Sequence, residues 1–335
     1  MFVSGTRRRF LAGSSAALGA LFGLRLPPGT PLVWAGPQGH PTPEVTPTDR
    51  LYVQSWNRTP SVDASRWTLD IAGEVARPLT LTAADLAARA QVRQYVTLIC
   101  IGNTVSGEQI GNVEWTGVRL ADLLAEARPR PSARKLLVTA ADRFTQTLTL
   151  DLAADPATLV AVGMNGGPLT ADHGHPARLV VPGRYGVKSV KWVTRIEAVP
   201  TDAVVGYWEQ RGWDDAAIVR TTSRVDTPGF FQRLSRSPVL VAGVAYAGRR
   251  GIASVEVSTD GTQTWQPASV RPALGPFAWS LWAYVWTPTT AGEHVLAARA
   301  TDGEGGRQST TRERAFPKGA GGLHEVIVHV LPSAI

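Results

Sequence analysis

The sequence predicts an α+β domain followed by an antiparallel β-sandwich, and three observations carry that prediction. From about Thr46 to Asp226, short period-two strand patterns alternate with helical ones. After about Ser235 the helical spacing disappears and strand-length apolar runs follow one another. Among those runs, Asp260-Gly261 and Asp302-Gly303 supply turn dipeptides. The expected organisation is an export segment over 1–35, a first domain over 36–232 and a sandwich over 233–335.

The chain opens with Thr6-Arg7-Arg8-Arg9-Phe10-Leu11, the form of a twin-arginine export box, ahead of a mildly apolar stretch from Ala12 to Leu26. That stretch is too short for a stable span, which needs about 20 strongly apolar residues. Small residues at Val33-Trp34-Ala35 place a cleavage near Gly36, so the expected location is periplasmic or otherwise exported. Trp67-Thr68-Leu69-Asp70-Ile71 alternates as a strand and stops at Gly73. Thr82, with Asp85 three residues on, reads as the N-cap of a helix. Val118 to Leu124 has helical spacing and ends before Pro129; Lys135–Thr139 and Ala177–Val181 read as strands. In the sandwich, strands are expected at Val239–Tyr246, Ile252–Val257, Ser280–Trp286, Val295–Ala300 and Glu325–Val330. Trp279 to Trp286 carries large residues on both faces. Either one face is core and the other meets a packed neighbour, or an exposed face forms a homodimer contact.

Composition narrows the function. Four of the 34 basic residues, Arg7, Arg8, Arg9 and Arg25, precede Gly36 and no acidic residue does, so the remainder carries +3 from 30 basic and 27 acidic residues. These charges are scattered without aromatic interleaving, which gives nucleic-acid binding no support. The single cysteine, Cys100, ends an apolar run in Thr97-Leu98-Ile99-Cys100-Ile101-Gly102-Asn103. One thiol cannot form an internal disulfide or hold an iron–sulfur cluster. It is either a buried hydrophobe or a soft metal ligand.

A second cluster lies between Asn165 and Trp192. Asn165-Gly166-Gly167-Pro168-Leu169 is a turn, followed by Asp172-His173-Gly174-His175-Pro176-Ala177-Arg178 and Val181-Pro182-Gly183-Arg184-Tyr185-Gly186-Val187-Lys188-Ser189-Val190-Lys191-Trp192. Glycine-rich loops bring backbone N–H groups close to an anion while Arg and Lys neutralise phosphate. The alternative is ordinary solvated charge. His173 and His175 could share one face of a strand, but no third ligand completes a zinc set.

With these pieces in order, the chain resembles the sulfite oxidase family of molybdopterin-dependent oxidoreductases. The matching segments are Thr46–Val53, Trp67–Gly73, Cys100-Ile101-Gly102-Asn103, Gly111–Val118, Met164-Asn165-Gly166, Asp172-His173-Gly174, Val181-Pro182-Gly183 and Ser189-Val190-Lys191-Trp192. Val255–Gly261 and Arg299–Gly303 look like the family's immunoglobulin-like dimerisation domain. The resemblance implies a molybdenum–molybdopterin cofactor with Cys100 as metal ligand. It implies that His173, Arg178, Ser189, Val190 and Lys191 hold the pterin and its phosphate, with Asp142 hydrogen-bonding the pterin. Tyr52, Val53 and Trp56 would line the cofactor from the N-terminal side. Trp213 is the best match to an active-site tyrosine of the sulfite oxidases, and Arg211 is the nearby cationic candidate for catalysis.

The departures from the family matter. Sulfite-oxidising members place cations where this chain has Gln54-Ser55-Trp56 and Thr104-Val105. A missing charge-assisted contact is worth roughly 1.5–3 kcal/mol, so sulfite is expected to bind poorly unless Arg184, Lys188 or Arg211 substitutes. The expected function is periplasmic transfer of an oxygen atom and two electrons at a Cys-ligated molybdenum, to or from a small oxo-acceptor or oxo-donor. An S- or N-oxide reductase and a non-catalytic exported binding protein are the alternatives. The chain carries no Cys-x-x-Cys-His haem motif, so a separate cytochrome or quinone-linked protein is the expected electron partner.

Overall fold

The computed structural model of the chain describes residues 42–332. The expected export box, its apolar stretch and the cleavage site near Gly36 lie outside the described residues. Two sheets build the first domain. One is mixed, in the order Leu79–Thr82, Thr68–Gly73, Val193–Val199, Lys135–Ala140, Thr145–Thr149. Its single parallel pair joins Thr68–Gly73 to Val193–Val199, strands about 120 residues apart in the chain. The second sheet is antiparallel and runs Val92–Ile99, Ile110–Arg119, Leu159–Met164, Gly167–Pro168, with Arg178–Val180 also on Leu159–Met164.

Local chemistry accounts for the short helices. Thr82 Oγ1 accepts the Asp85 N–H at 3.1 Å while Asp85 accepts the Thr82 N–H at 2.8 Å, so both ends of the capping box are closed. The Ala83–Ala88 helix starts there. The Leu120–Ala127 helix buries Leu120, Leu123, Leu124 and Ala127 on one face and ends at Arg128 in the left-handed region. Val118, expected in this helix, belongs to the preceding strand. The helices pack on the mixed sheet through Leu69, Ile71, Leu136, Val138 and Ile196, all essentially without exposure.

The second domain is a sandwich of two sheets. One runs Thr222–Thr227, Val239–Tyr246, Ser280–Trp286, Ser269–Val270. The other runs Arg233–Leu234, His324–Val330, Gly292–Asp302, Ile252–Ser258, Gln266–Pro267. Its first strand, Thr222–Thr227, thus comes from upstream of residue 233 and pairs with Val239–Tyr246. Every second residue of the facing strands points inward: Val255 and Val257, Leu296, Ala298 and Ala300, Val326, Val328 and Val330.

The tryptophan-rich strand has no exposed indole face. Trp282 and Trp286 fill the sandwich core, and Trp279 joins a second cluster with Ile99, Ile101, Ile110, Tyr185, Val219, Val244, Tyr246 and Leu281. That second cluster is the seam between the domains. The three indoles are therefore buried within one chain, and none of them presents an exposed face for the subunit contact considered above. Thr97 reinforces the seam. Its hydroxyl oxygen accepts the Trp279 N–H at 2.8 Å, and its own N–H reaches the Phe277 carbonyl at 2.9 Å.

Candidate functional site

One cavity of about 300 Å³ opens where the antiparallel sheet, the 186–192 turn and the seam meet. Its size is within the range of small-molecule sites. Cys100 lies on one wall. The Val92–Ile99 strand ends there, and the loop turns through Asn103 N–H to Cys100 O at 3.0 Å. Flanking Ile99 and Ile101 are buried in the seam, so the two apolar neighbours anchor the loop while the sulfur faces the cavity. Burial pushes the Cys100 thiol up, and the N–H groups of Gly102 and Asn103, aimed at the sulfur, partly oppose this.

Two cations also line the cavity, Arg178 buried and Lys191 half-buried. Arg178 is only 5% exposed. Its guanidinium donates to the carbonyls of His173 at 3.1 Å and Ser189 at 2.9 Å, and lies 4.9 Å from the Trp115 ring. Among the described residues it has no carboxylate partner. Burial pulls its pKa down to about 10. Lys191 donates to Ser55 Oγ at 2.7 Å and to the Asp172 carbonyl at 2.8 Å, with its ammonium 4.4 Å from the Trp192 ring. Burial, and then repulsion from Arg178, lowers its pKa to about 7. His173 Nε2 donates to the Thr48 carbonyl at 3.2 Å, and burial followed by Arg178 holds the ring's pKa down, so it is neutral at pH 7.

Of the residues singled out in the sequence, Cys100, Tyr52, Trp56, Asp142, His173, Arg178, Ser189, Val190, Lys191 and Trp213 all line this one cavity. Two do not. Val53 points outward between Tyr52 and Gln54 and is exposed. Arg211 is exposed, donates to the Tyr207 carbonyl at 2.7 Å and lies 3.6 Å over the Tyr207 ring. Neither Arg184 nor Lys188 supplies the missing cation. Arg184 donates to the Ala216 carbonyl. Lys188 turns away from the cavity into Gln146, Thr147, Glu209 at 3.1 Å and Asp215 at 2.6 Å. Thr104 and Val105 do not reach the cavity either; Val105 lines a small separate cleft with Asn103 and Tyr246.

Sequence reasoning missed several wall residues. Gln109 is one: its Nε2 donates at 3.0 Å to Oε1 of Gln54, the residue already noted for its lack of charge. Phe144, Trp192 and Trp208 complete the aromatic lining. Gly186 is needed for close approach: a Cβ there would sit 2.9 Å from the Tyr52 hydroxyl. Two asparagines place the N-terminal segment. Asn112 Nδ2 donates to the Glu44 carbonyl at 2.8 Å and Asn165 Nδ2 to the Thr46 carbonyl at 2.9 Å, which lays Tyr52–Trp56 along the mouth. Their Gly-Asn and Asn-Gly contexts gave the signal, but the partner is more than 60 residues away in each case.

The donor set fits a pterin phosphate cofactor bearing a soft metal. Buried Arg178 and half-buried Lys191, neither paired with a carboxylate among the described residues, suit a phosphate, and a cysteine sulfur stands free of any disulfide. Asp142 adds an acceptor: one oxygen takes the Phe144 N–H at 3.0 Å, and the carboxylate lines the cavity.

Comparison with known proteins agrees with this chemistry. Residues 56–208 match the oxidoreductase molybdopterin binding domain. The chain is 28% identical to a nitrate reductase [NAD(P)H] of Hordeum vulgare over 77% of its own length and 36% of the relative's. It is 28% identical to the mitochondrial sulfite oxidase of Homo sapiens over 75% of its length and 54% of the relative's. The chain thus spans about a third to a half of the curated relatives it matches. The sulfane dehydrogenase SoxCD of Paracoccus pantotrophus shares the fold, with a TM-score of 0.73 at 22% identity over 97% of this chain and 95% of the other. Residues 56–208 are thus an oxidoreductase molybdopterin binding domain, and the chain is similar in sequence to sulfite oxidases and nitrate reductases.

Proposed function

We propose that this chain is an exported molybdenum oxidoreductase that exchanges an oxygen atom and two electrons with a small substrate in the Cys100 cavity. One observation carries the reading: a single cavity collects an unpaired thiol, the buried guanidinium of Arg178 and the half-buried ammonium of Lys191, neither cation paired with a carboxylate among the described residues. When bound, the cofactor supplies a metal centre that takes up or gives back two electrons and an oxygen atom.

The chain's own residues do the rest. Cys100 would hold the metal as thiolate, and its ligation releases the proton that burial otherwise retains. The Gly102 and Asn103 N–H groups stabilise the thiolate that remains. Arg178 and Lys191 would neutralise the cofactor's phosphate, and neutral His173 would offer its second ring nitrogen without adding charge. Trp56, Trp208 and Trp213 narrow the mouth and exclude bulk water, which strengthens every charge interaction inside. Electrons leave to, or arrive from, a separate carrier protein. A reductase acting on a neutral S- or N-oxide is the second reading. It is favoured by the uncharged Gln54–Gln109 amide pair standing with the indoles where a dianion would need a cation.

Protein purified from a molybdenum-replete host should contain about one molybdenum per chain. Cys100→Ser should abolish turnover in a screen with dye donors and acceptors, because oxygen is a harder, poorer ligand for this metal. Metal-free wild-type protein would leave only a non-catalytic binding role and sink the proposal.

Lys191 makes anion binding pH-dependent. Its folded pKa of about 7 lies below the ordinary lysine value, so it is charged below pH 7 and neutral above. Above pH 7 an arriving anion must be accompanied by a proton, and affinity falls by up to about tenfold per pH unit. Sulfate, whose own charge is constant, should bind the cofactor-free protein more tightly at pH 6 than at pH 8 in calorimetric titration. Lys191→Arg should flatten that dependence because guanidinium stays charged.

Sulfite should be a poor substrate, needing millimolar concentrations. Gln54 is the cavity residue at a cation's place, so Gln54→Arg should improve sulfite affinity by about tenfold or more, the worth of one charge-assisted contact. Micromolar saturation of the wild type would overturn the substrate argument. Export rests on Thr6–Leu11: replacing Arg7 and Arg8 with Lys should leave precursor in the cytoplasm, and normal periplasmic recovery would refute it.

A further inference from the structure

The rim of the cavity is built unlike the rest of the surface. Nine large apolar side chains are exposed among the described residues, and four of them, Val53, Trp56, Val205 and Phe316, belong to segments that frame the mouth. Val53 lies between lining residues Tyr52 and Gln54, and Trp56 lines the cavity itself. Val205 leads into Tyr207, whose ring meets Trp56 at 4.9 Å. Phe316 comes from the sandwich. The long connection between Gly292–Asp302 and His324–Val330 reaches back to the first domain, where Phe316 meets Trp213 at 5.2 Å and the Asp214 N–H donates to the Pro317 carbonyl at 3.1 Å.

Cations predominate close to these residues. Arg58 follows Trp56 by two positions, Arg143 sits between lining residues Asp142 and Phe144, and Arg314 and Lys318 flank Phe316. All four are exposed, and among the described residues none makes an ion pair. Among the described residues Asp202 and Glu108 are exposed acids without an ion pair, but the acids nearest the aromatic centre are engaged. Glu209 and Asp215 hold Lys188, Asp214 accepts the Ala217 N–H, Asp172 accepts the Thr59 hydroxyl, and Glu313 pairs with Arg220. An apolar centre ringed by unpaired cations is a surface for an acidic partner.

Aromatic contact then runs from this rim to the cavity wall. Phe316 touches Trp213, Trp213 lies 6.5 Å from Trp208, and Trp208 lies 5.1 Å from Tyr207. Trp208 and Trp213 both line the cavity.

We infer that the Trp56–Phe316 rim is the docking surface for an acidic one-electron carrier protein, held by Arg58, Arg143, Arg314 and Lys318 around the exposed aromatic centre. This rests on the oxidoreductase reading above. Two encounters, each reducing one oxidised carrier by one electron, discharge a two-electron turnover. The carrier is kept apart from the substrate by the same indoles that it approaches.

The test is binding, which needs no loaded centre. An acidic and a basic c-type cytochrome serve as probes by surface plasmon resonance at low and at physiological ionic strength. The acidic cytochrome should bind more tightly, lose affinity with salt, and bind Arg143→Glu/Arg314→Glu/Lys318→Glu at least tenfold more weakly. Phe316→Ala should weaken binding while leaving the salt dependence intact, and circular dichroism confirms that each variant is folded. Equal binding of the basic cytochrome, or an unchanged affinity in the triple variant, overturns the proposal. So does an acidic peptide that binds as tightly with the same charge dependence, which would make the rim a peptide site. An absence of molybdenum in the purified protein is a separate result: it would remove the oxidoreductase reading, while the binding data judge the surface.

Discussion

A guanidinium buried without a carboxylate is the constraint around which this molecule is arranged. Taking Arg178 out of water costs several kcal/mol, and the structure offsets it with carbonyls rather than with a counter-charge. Those carbonyls belong to His173 and Ser189, in two separate loops that must be held at fixed distance. Ser189 is itself held by its hydroxyl oxygen, which accepts the Val181 N–H at 3.1 Å. The Arg178–Val180 strand, the His173 turn and the 186–191 turn are thus locked to one another before any ligand arrives. The residual positive potential is left facing the cavity, where an anion can use it.

Two lysines three residues apart show how one turn serves opposite purposes. Lys188 is essentially unexposed and makes four contacts, including the two carboxylates of Glu209 and Asp215. Burial tends to raise the Asp215 carboxyl, but the hydrogen bonds from Lys135 and Lys188 outweigh it and hold it at about 2. This ion cluster ties the floor of the cavity to the loop carrying Trp208 and Trp213. Removing one member of such a buried set costs roughly 3–5 kcal/mol, so it braces the aromatic wall. Lys191 has no such partner and keeps its charge only marginally at neutral pH. The first lysine is structure, and the second is left available for a ligand.

The seam between the domains sets the position of the sulfur. Ile99 and Ile101 are inserted among Trp279, Tyr246 and Val244 of the sandwich, with Cys100 between them facing the other way. The sandwich therefore buttresses the loop that carries the thiol, and through Phe316 it also reaches the rim of the mouth. A close-packed apolar seam resists sub-ångström displacement, which the metal-ligand role proposed for Cys100 would require of its support.

Much of this was legible in the chain itself. Strand-length apolar runs between turn dipeptides located the sandwich strands, some of which are buried on both faces, and the Thr82–Asp85 box marked a helix start through purely local hydrogen bonds. The resemblance located Cys100, His173, Arg178 and Lys191, all of which converge on one cavity. Direction in space was not legible. Residues 188 and 191 are both lysines of one motif, and only the position of Glu209 and Asp215 decides which faces the ligand. Arg184, Arg211 and Val105 sit near lining residues in sequence yet outside the cavity, because a loop turns neighbours to opposite sides. The fate of the tryptophan-rich strand was equally a tertiary matter, since either a packed domain or a second subunit could cover its outer face. Covalent order and local periodicity determine which elements form. The sign of the charge at the mouth, the neutral Gln54–Gln109 pair and the reach of Phe316 depend on contacts between residues up to hundreds apart, and only the folded packing decides those.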